Sequence, residues 1–373
     1  MAPSKNIPDT IEAYQSEVTN SAVNETKLPL PGVSGVLYAL KRTSIEFFFE
    51  QLLDRAATLT YFTVLTFSPA LLAIYSISVL FMADYSADIM AAAEDFMAQF
   101  LPPEYMETAL DILQTIMGSA TGGVIALSIG IATALISSSA YVRAFSRAAN
   151  SIYRVSEGRP LLKYHLAMVG TTLVMLVGSV LTLVSIALNR RLVEGLIEPI
   201  AQPLGIDDFV AFLLDVFFPI WDWLRWPVIL IAMMTLIGSL FYFAPNIRQR
   251  RFRWLSTGAV WAILSIFVIG KALEMYLVHF ASLNPYGAIG AVIAFLIAVW
   301  ATNAMLLFGF KLDAEVERVR QLRAGYPAEV RVQLPPKAID AAVGEKKIHQ
   351  RQRNKAQDIL TEEGLQQETL DLK

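Results

Sequence analysis

The sequence predicts an all-α polytopic membrane protein with six transmembrane helices, and three observations lead to this fold class. Hydrophobic residues make up 55% of the 373 residues and charged residues only 17%, which is typical of a membrane-embedded chain. The loops between the apolar stretches alternate in charge. Six apolar stretches are long enough for a helix to cross a ~30 Å hydrocarbon core, and they cover about 56–83, 119–140, 166–188, 226–243, 255–280 and 286–310.

The charge of the loops predicts how the helices are oriented. The connection 84–118 carries seven acids and no Lys or Arg, whereas 141–165 carries five Lys or Arg against a lone Glu157. The loop 245–254 carries four arginines and no acid. Because Lys and Arg collect in cytoplasmic loops, the sequence predicts that both termini are cytoplasmic.

Polar segments flank the membrane domain, which we assign to residues 56–312. Residues 1–35 are predicted to be a disordered cytoplasmic tail without a cleaved signal. Residues 36–55 are predicted to form an amphipathic juxtamembrane helix. Residues 313–373 are predicted to be a polar cytoplasmic tail, solvated or, as the alternative, bound to anionic lipid or another partner.

The first and third outer loops are predicted to contain amphipathic extracytoplasmic helices rather than simple linkers. Apolar residues recur at helical spacing in 89–100, 106–117, 193–200 and 209–220, with acids on the opposite face in the first loop. In the first span, Pro69 interrupts the helix near its middle. A helix kink is expected there, because proline removes a backbone hydrogen bond.

Charged residues inside or beside a span are the candidate functional residues. Lys271 and Glu274 lie within the fifth span and share a helix face. A lone charge there costs at least ~2.5–3.5 kcal/mol, so the two are expected to pair or to face a wet cavity. A substrate or proton-coupling site and a structural ion pair are open alternatives. Arg225, at the outer mouth of the fourth span, is a third candidate.

Two further groups of residues have mainly structural interpretations. Small residues favour close helix packing in the sixth span, at Gly287, Gly290, Ala294 and Ala298. Charged residues gather at the inner ends of the first and sixth spans, where a surface salt-bridge network is expected, at Asp54, Arg55, Lys311, Asp313 and Glu315.

The sequence offers no enzyme constellation. The absence of Cys excludes thiolate chemistry. His165, His279 and His349 fall on the predicted inner, outer and inner sides, so they do not assemble one metal site. No phosphate-cradling glycine loop occurs, and the membrane topology explains the basic residues without a nucleic-acid partner. We therefore predict no catalytic activity, metal or cofactor.

Four segments resemble the BrkB/YihY family of bacterial inner-membrane proteins, once labelled ribonuclease BN-like. They are RAATLTYFTVLTFSPALLA (55–73), YVRAFSRAANSIYRV (141–155), LRWPVILIAMMTLIGSLFYFAPN (224–246) and YGAIGAVIAFLIAVWATNAMLLFGFKLDAEVER (286–318). The resemblance implies six helices in the bacterial plasma membrane and a role in the cell envelope. The ribonuclease label implies metal-dependent chemistry, for which this chain supplies no ligand set. Lys311-Leu312-Asp313 departs from the family, where an acidic residue and then Asn are usual.

Two functions are open at this stage. The first is a transporter or flippase for a lipid or amphiphilic envelope component, with Lys271, Glu274, Arg225 and the Pro69 kink as its parts. The alternative is a non-transporting scaffold that docks an envelope-biogenesis protein. The bilayer is a partner in both. The sequence leaves the substrate, the energy source and the oligomeric state open.

Overall fold

The computed structural model describes residues 28–81, 123–187, 207–249, 251–279 and 287–362, together with Met106 and Leu110. In parts of the helices, among them 67–81, only the backbone is described. The described regular structure is helical apart from an isolated antiparallel bridge between Ile247 and Pro336. The predicted all-α fold class is confirmed.

The helices follow one another in the order that the apolar stretches predict. Their bounds are α1 Gly32–Phe49, α2 Leu52–Phe81, α3 Gly123–Ile152, α4 Leu161–Ala187, α5 Asp207–Phe212, a π-helical segment Leu213–Phe217, α6 Phe218–Phe243, α7 Thr257–His279, α8 Gly287–Arg323 and α9 Asp340–Glu362. We call the end of the bundle predicted to face the cytoplasm the inner end.

Four helical segments within the described residues are long and apolar enough to cross a membrane. They are Leu161–Thr182, Val210–Phe243, Thr257–His279 and Gly290–Arg323. Their outward surfaces carry many exposed apolar side chains, the kind of surface that lipid covers. The chain is therefore an integral, multi-pass membrane protein. The first and second predicted spans overlap α2 and α3, and the count of six stays a prediction.

The juxtamembrane region differs from the expected single helix 36–55. Helix α1 already begins at Gly32, inside the segment predicted to be disordered, and it ends at Phe49. The backbone of Gln51 then adopts a left-handed conformation with φ 52°, which ends one helix and lets the next begin at Leu52. Apolar periodicity does not show this break, because it continues across both helices.

The third outer loop also differs from the predicted bounds. The amphipathic segment 209–220 is continuous with the fourth span, as one helical run from α5 through the π-helical segment to α6. Pro227 lies inside this run, since a membrane helix tolerates the one backbone bond that proline removes. Apart from Met106 and Leu110, the residues of the helices expected in 89–100, 106–117 and 193–200 lie outside the described residues.

Helix α8 extends beyond the membrane domain boundary placed at 312. At 37 residues it is about 55 Å long, far more than a ~30 Å hydrocarbon core requires. Its last turns bind the residues just before α1: Arg320 Nε donates to the Pro29 carbonyl at 3.2 Å and Arg323 Nη1 to the Leu30 carbonyl at 3.0 Å. The segment after 312 thus continues the packed helix.

Aromatic rings fill the core at the inner end. Phe310 of α8 lies 5.0 Å from Phe241 of α6 and 5.5 Å from Phe145 of α3, centroid to centroid. Tyr153, just after α3, contacts the same ring at 5.6 Å. Edge-on contacts of this kind add to the energy of burial, so this core fixes the ends of three helices relative to one another.

Candidate functional site

Lys271 and Glu274 form an ion pair on α7. Lys271 Nζ donates to Glu274 Oε2 at 2.6 Å, the contact that their spacing predicts. Both side chains are 60% exposed, and Lys271 lies about 21 Å along the helix from its start at Thr257. Their exposed neighbours on the helix are apolar: Phe267, Val268, Met275 and Val278. The pair therefore places charge on an apolar outer face, and its use as a binding site stays a prediction.

Arg225 is held by residues of its own helix. Its Nη1 lies 3.4 Å from Asp222 Oδ1, and its guanidinium lies over the Trp226 ring at 5.4 Å. These contacts suit the interfacial end of a membrane helix. Pro69 falls within the range of α2, and its side chain lies outside the described residues.

The role of the small residues of the sixth span in helix packing stays a prediction. Ala294 and Ala298 are half-buried on α8, which packs against α7. The tight approach that the structure describes between these helices lies farther along, at Gly258 and Gly309. A Cβ added at either glycine would meet the backbone carbonyl of the other, so the crossing point requires residues without side chains.

A buried ion cluster lies at the inner end, around Lys311 of α8. Its ammonium contacts Glu46 Oε2 at 2.6 Å, Glu50 Oε1 at 2.9 Å and Glu315 Oε1 at 3.4 Å. The Lys311 side chain is 1% exposed and the Glu315 side chain 0%. A buried charge is tolerated when it is paired and hydrogen-bonded, and this ammonium donates to Glu46 and Glu50 and forms an ion pair with Glu315.

Two arginines balance the remaining negative charge. Arg42 lies 2.7 Å from Glu46 and 3.2 Å from Glu315. Arg318 binds Glu315 at 2.7 Å and donates to the Ala328 carbonyl at 2.6 Å. The cluster thus holds three cations and three carboxylates, and it joins α1 to the end of α8.

The expected surface salt-bridge network is therefore wrong for Lys311 and Glu315, which are buried. Arg55 lies outside the cluster and donates to the Ser151 hydroxyl at 3.0 Å, and Asp54 is exposed. The partners of Lys311 that the predicted network does not include are Glu46 and Glu50. A signal did exist, because Glu46 with Glu50, and Lys311 with Glu315, are four residues apart and each pair shares one helix face.

The electrostatics of the cluster keep Glu46 ionised. Burial acts to raise the pKa of this carboxyl, but the hydrogen bond and charge of Lys311, with the charge of Arg42, hold its pKa below the ordinary value. A charge-assisted contact of this kind is stronger than a neutral one. Glu46 therefore stays ionised at neutral pH, and its contacts hold α1 against the end of α8.

A second polar cluster ties the end of α3 to the end of α6. Asn150 donates to Glu157 Oε2 at 3.0 Å and accepts the Asn246 backbone N–H at 2.7 Å. Arg159 binds the other carboxylate oxygen of Glu157 through Nε at 2.8 Å and donates to the Ala244 carbonyl at 2.8 Å. These bonds satisfy carbonyls that a helix end leaves free.

Lys337, from the segment between α8 and α9, completes the same helix end. Its ammonium donates to the carbonyls of Tyr242 at 2.8 Å and Pro245 at 3.0 Å. A cation at a helix C-terminus is favoured by the helix dipole. Burial, and then repulsion by Arg159, lower the pKa of Lys337 to about 8. The segment after 323 is thus partly packed rather than wholly a solvated tail.

A polar network also lies within the helix bundle. Asn303 of α8 is buried, accepts the Tyr141 hydroxyl at 3.1 Å and donates to Thr60 at 3.2 Å. Hydrogen bonds between membrane helices contribute about 1 kcal/mol each. This network joins α2, α3 and α8 at one level.

Comparison with known proteins decides the family. A profile described as "Virulence factor BrkB" matches residues 46–333. The chain belongs to this family. The matched range includes Glu46, Lys311 and Asn246. The match confirms the resemblance that the sequence motifs indicate. Putative ribonuclease-like protein YfkH of Bacillus subtilis (strain 168) is 26% identical over 275 residues, which are 72% of this chain and 91% of the relative. No solved structure matches.

Proposed function

We propose that this BrkB-family protein moves a lipid or amphiphilic envelope component across the bacterial plasma membrane, in the manner of a transporter or flippase. Both of its termini would then face the cytoplasm, as the loop charges predict. The observation that carries the proposal is the Lys271–Glu274 ion pair on the outer face of α7.

The position of this ion pair on an apolar face carries an energetic cost. A role in the passage of a polar group would explain why the chain bears this cost. Both side chains are 60% exposed and are surrounded on the helix by apolar residues that lipid would cover. An unpaired charge at such a depth costs at least ~2.5–3.5 kcal/mol, and pairing lowers this cost without removing it. A paired Lys and Glu offer one donor group and one acceptor group to a zwitterionic or anionic lipid head group.

Lipid movement in proteoliposomes tests the proposal. Fluorescent phospholipids in vesicles containing the full chain are quenched from outside, and the rate at which inner-leaflet lipid becomes accessible is measured. Lys271→Leu and Glu274→Leu should each slow this rate about tenfold or more, since ~1.4 kcal/mol in a barrier is a factor of ten. The double exchange Lys271→Glu with Glu274→Lys keeps an ion pair and should recover much of the rate.

Two results would contradict the proposal. Unchanged rates in both leucine variants would remove the ion pair from the transport path. If the wild-type chain moves no envelope lipid above the rate of protein-free vesicles, transport itself is rejected, and the scaffold for an envelope-biogenesis partner takes its place.

A further inference from the structure

The last helix, α9, is fixed at its start to the inner end of the bundle. The Ala341 backbone N–H donates to the Gly158 carbonyl at 2.9 Å, and Asn246 Nδ2 donates to the Ala338 carbonyl at 2.9 Å. Gly158 shortly precedes Leu161, where α4 begins and where the exposed apolar side chains that lipid would cover start. Helix α9 therefore begins close to the membrane surface.

Beyond this attachment, the described part of α9 is open on every side. Every residue from 345 to 359 is exposed, so packing against the rest of the described chain contributes little to this stretch. A helix of about 12–15 residues is only marginally stable by itself in water. A further surface that covers α9 would supply the missing stabilisation.

The exposed stretch is strongly basic. Residues 346–355 carry five Lys or Arg and no Asp or Glu. The acids of the helix lie before or after this stretch, at Asp340, Glu345, Asp358 and Glu362. Clusters of about 4–8 Lys or Arg beside a membrane span are typical of binding to anionic lipid. The charge of α9 thus complements that of an anionic membrane surface.

Three of these cations and two isoleucines form one continuous side of α9. Lys347, Arg351 and Lys355 follow one another at intervals of four residues, and so they share a helix face. Ile348 and Ile359 adjoin this row, the first near its start and the second just past its end, and each is 57% exposed. A basic row beside exposed apolar side chains is typical of a helix that lies in the membrane interface.

We propose that α9 lies on the lipid head groups at the inner end, with this basic row on anionic phospholipid of the membrane that the chain itself spans. The attraction falls off within a Debye length, about 10 Å at 0.1 M salt. The attachment at Gly158 keeps the start of α9 within such reach. Binding to this surface requires no lipid transport, and its failure would leave the proposal for the Lys271–Glu274 pair intact.

A fluorescent label on α9 tests the proposal in proteoliposomes of the full chain. The chain contains no Cys, so Gln352→Cys provides a single site for a dye. Gln350→Cys provides a matched site on nearly the opposite side of the helix. A nitroxide-labelled phospholipid quenches the dye, in vesicles of phosphatidylcholine alone or mixed with phosphatidylglycerol in both leaflets. The dye at Gln352→Cys should be quenched in the mixed vesicles only, and much more than the dye at Gln350→Cys. High salt should reverse this quenching.

Charge variants separate this surface from a general effect of positive charge. Each Lys or Arg near an anionic surface contributes roughly a fivefold factor in binding. Replacing the whole row with Gln, as Lys347→Gln, Arg351→Gln and Lys355→Gln together, should therefore abolish the quenching. The matched control Arg353→Gln removes a cation from the other side of α9 and should retain most of it. Gln is a good helix former, so loss of the helix would not explain the difference.

Three results would overturn the proposal. The first is a dye at Gln352→Cys that is quenched no more in the mixed vesicles than in phosphatidylcholine alone. The second is an equal loss of quenching in Arg351→Gln and Arg353→Gln, because the row would then have no special place. The third is a dye that stays unquenched in the mixed vesicles but responds to added RNA, which would assign α9 to a soluble anionic partner.

Discussion

Replacing Lys311 should test whether the buried ion cluster fastens α1 to α8. Lys311→Met keeps the length of the side chain and removes its charge, which leaves Glu46, Glu50 and Glu315 without the ammonium that contacts them at 2.6, 2.9 and 3.4 Å. The Lys311 side chain is 1% exposed, and breaking a buried pair by removing one partner costs about 3–5 kcal/mol. We expect a loss of unfolding free energy of this size.

The assay is unfolding of the detergent-solubilised chain, followed by tryptophan fluorescence. The matched control is Lys41→Met, an exposed residue of α1, which should change stability by no more than about 0.5 kcal/mol. Lys311→Glu should be worse than Lys311→Met, because it adds a fourth carboxylate. Adding Glu50→Gln to Lys311→Met should recover part of the loss. If Lys311→Met is no less stable than Lys41→Met, the reasoning on burial is wrong.

Three further outcomes are expected. Gly258→Ala should destabilise the chain by about 1–3 kcal/mol through overpacking, whereas Gly270→Ala on the same helix meets nothing within 4 Å and should be neutral; equal effects would contradict the close helix approach. The free energy of unfolding should rise between pH 8 and 10.5. In this range Lys337 of the folded chain, with its pKa of about 8 against an ordinary 10.5, has released a proton that the unfolded chain still binds. The Lys337→Met variant should lack this rise when its stability is measured over the same pH range. Asn303→Ala should cost about 1–2 kcal/mol in the same unfolding assay, and no loss would contradict the intramembrane network.

The sequence predicts a feature well when that feature depends on the residues of a single helix. Apolar length predicts α4, α6, α7 and α8, because a membrane helix satisfies its own backbone and needs no partner to be recognised. The Lys271–Glu274 contact is of the same kind, since both residues lie on one helix face.

Features that depend on distant residues were missed. The sequence predicts Lys311 at the surface because charged residues at the end of a span usually face solvent. Its partner Glu46 lies 265 residues away along the chain. For the same reason the sequence predicts a solvated tail around Lys337, although the Lys337 backbone N–H donates to the Asn246 carbonyl at 3.1 Å. Burial of a charge is decided by its partners in space, which periodicity does not report.

The contacts of Arg320 and Arg323 with the carbonyls of Pro29 and Leu30 carry a consequence for membrane topology. Two segments that touch must lie on the same side of the bilayer, so the chain crosses the membrane an even number of times between them. This parity holds whichever side they occupy, and it excludes five crossings or seven. A reporter fused before residue 28 and one fused after 323 should therefore always give the same answer about sidedness.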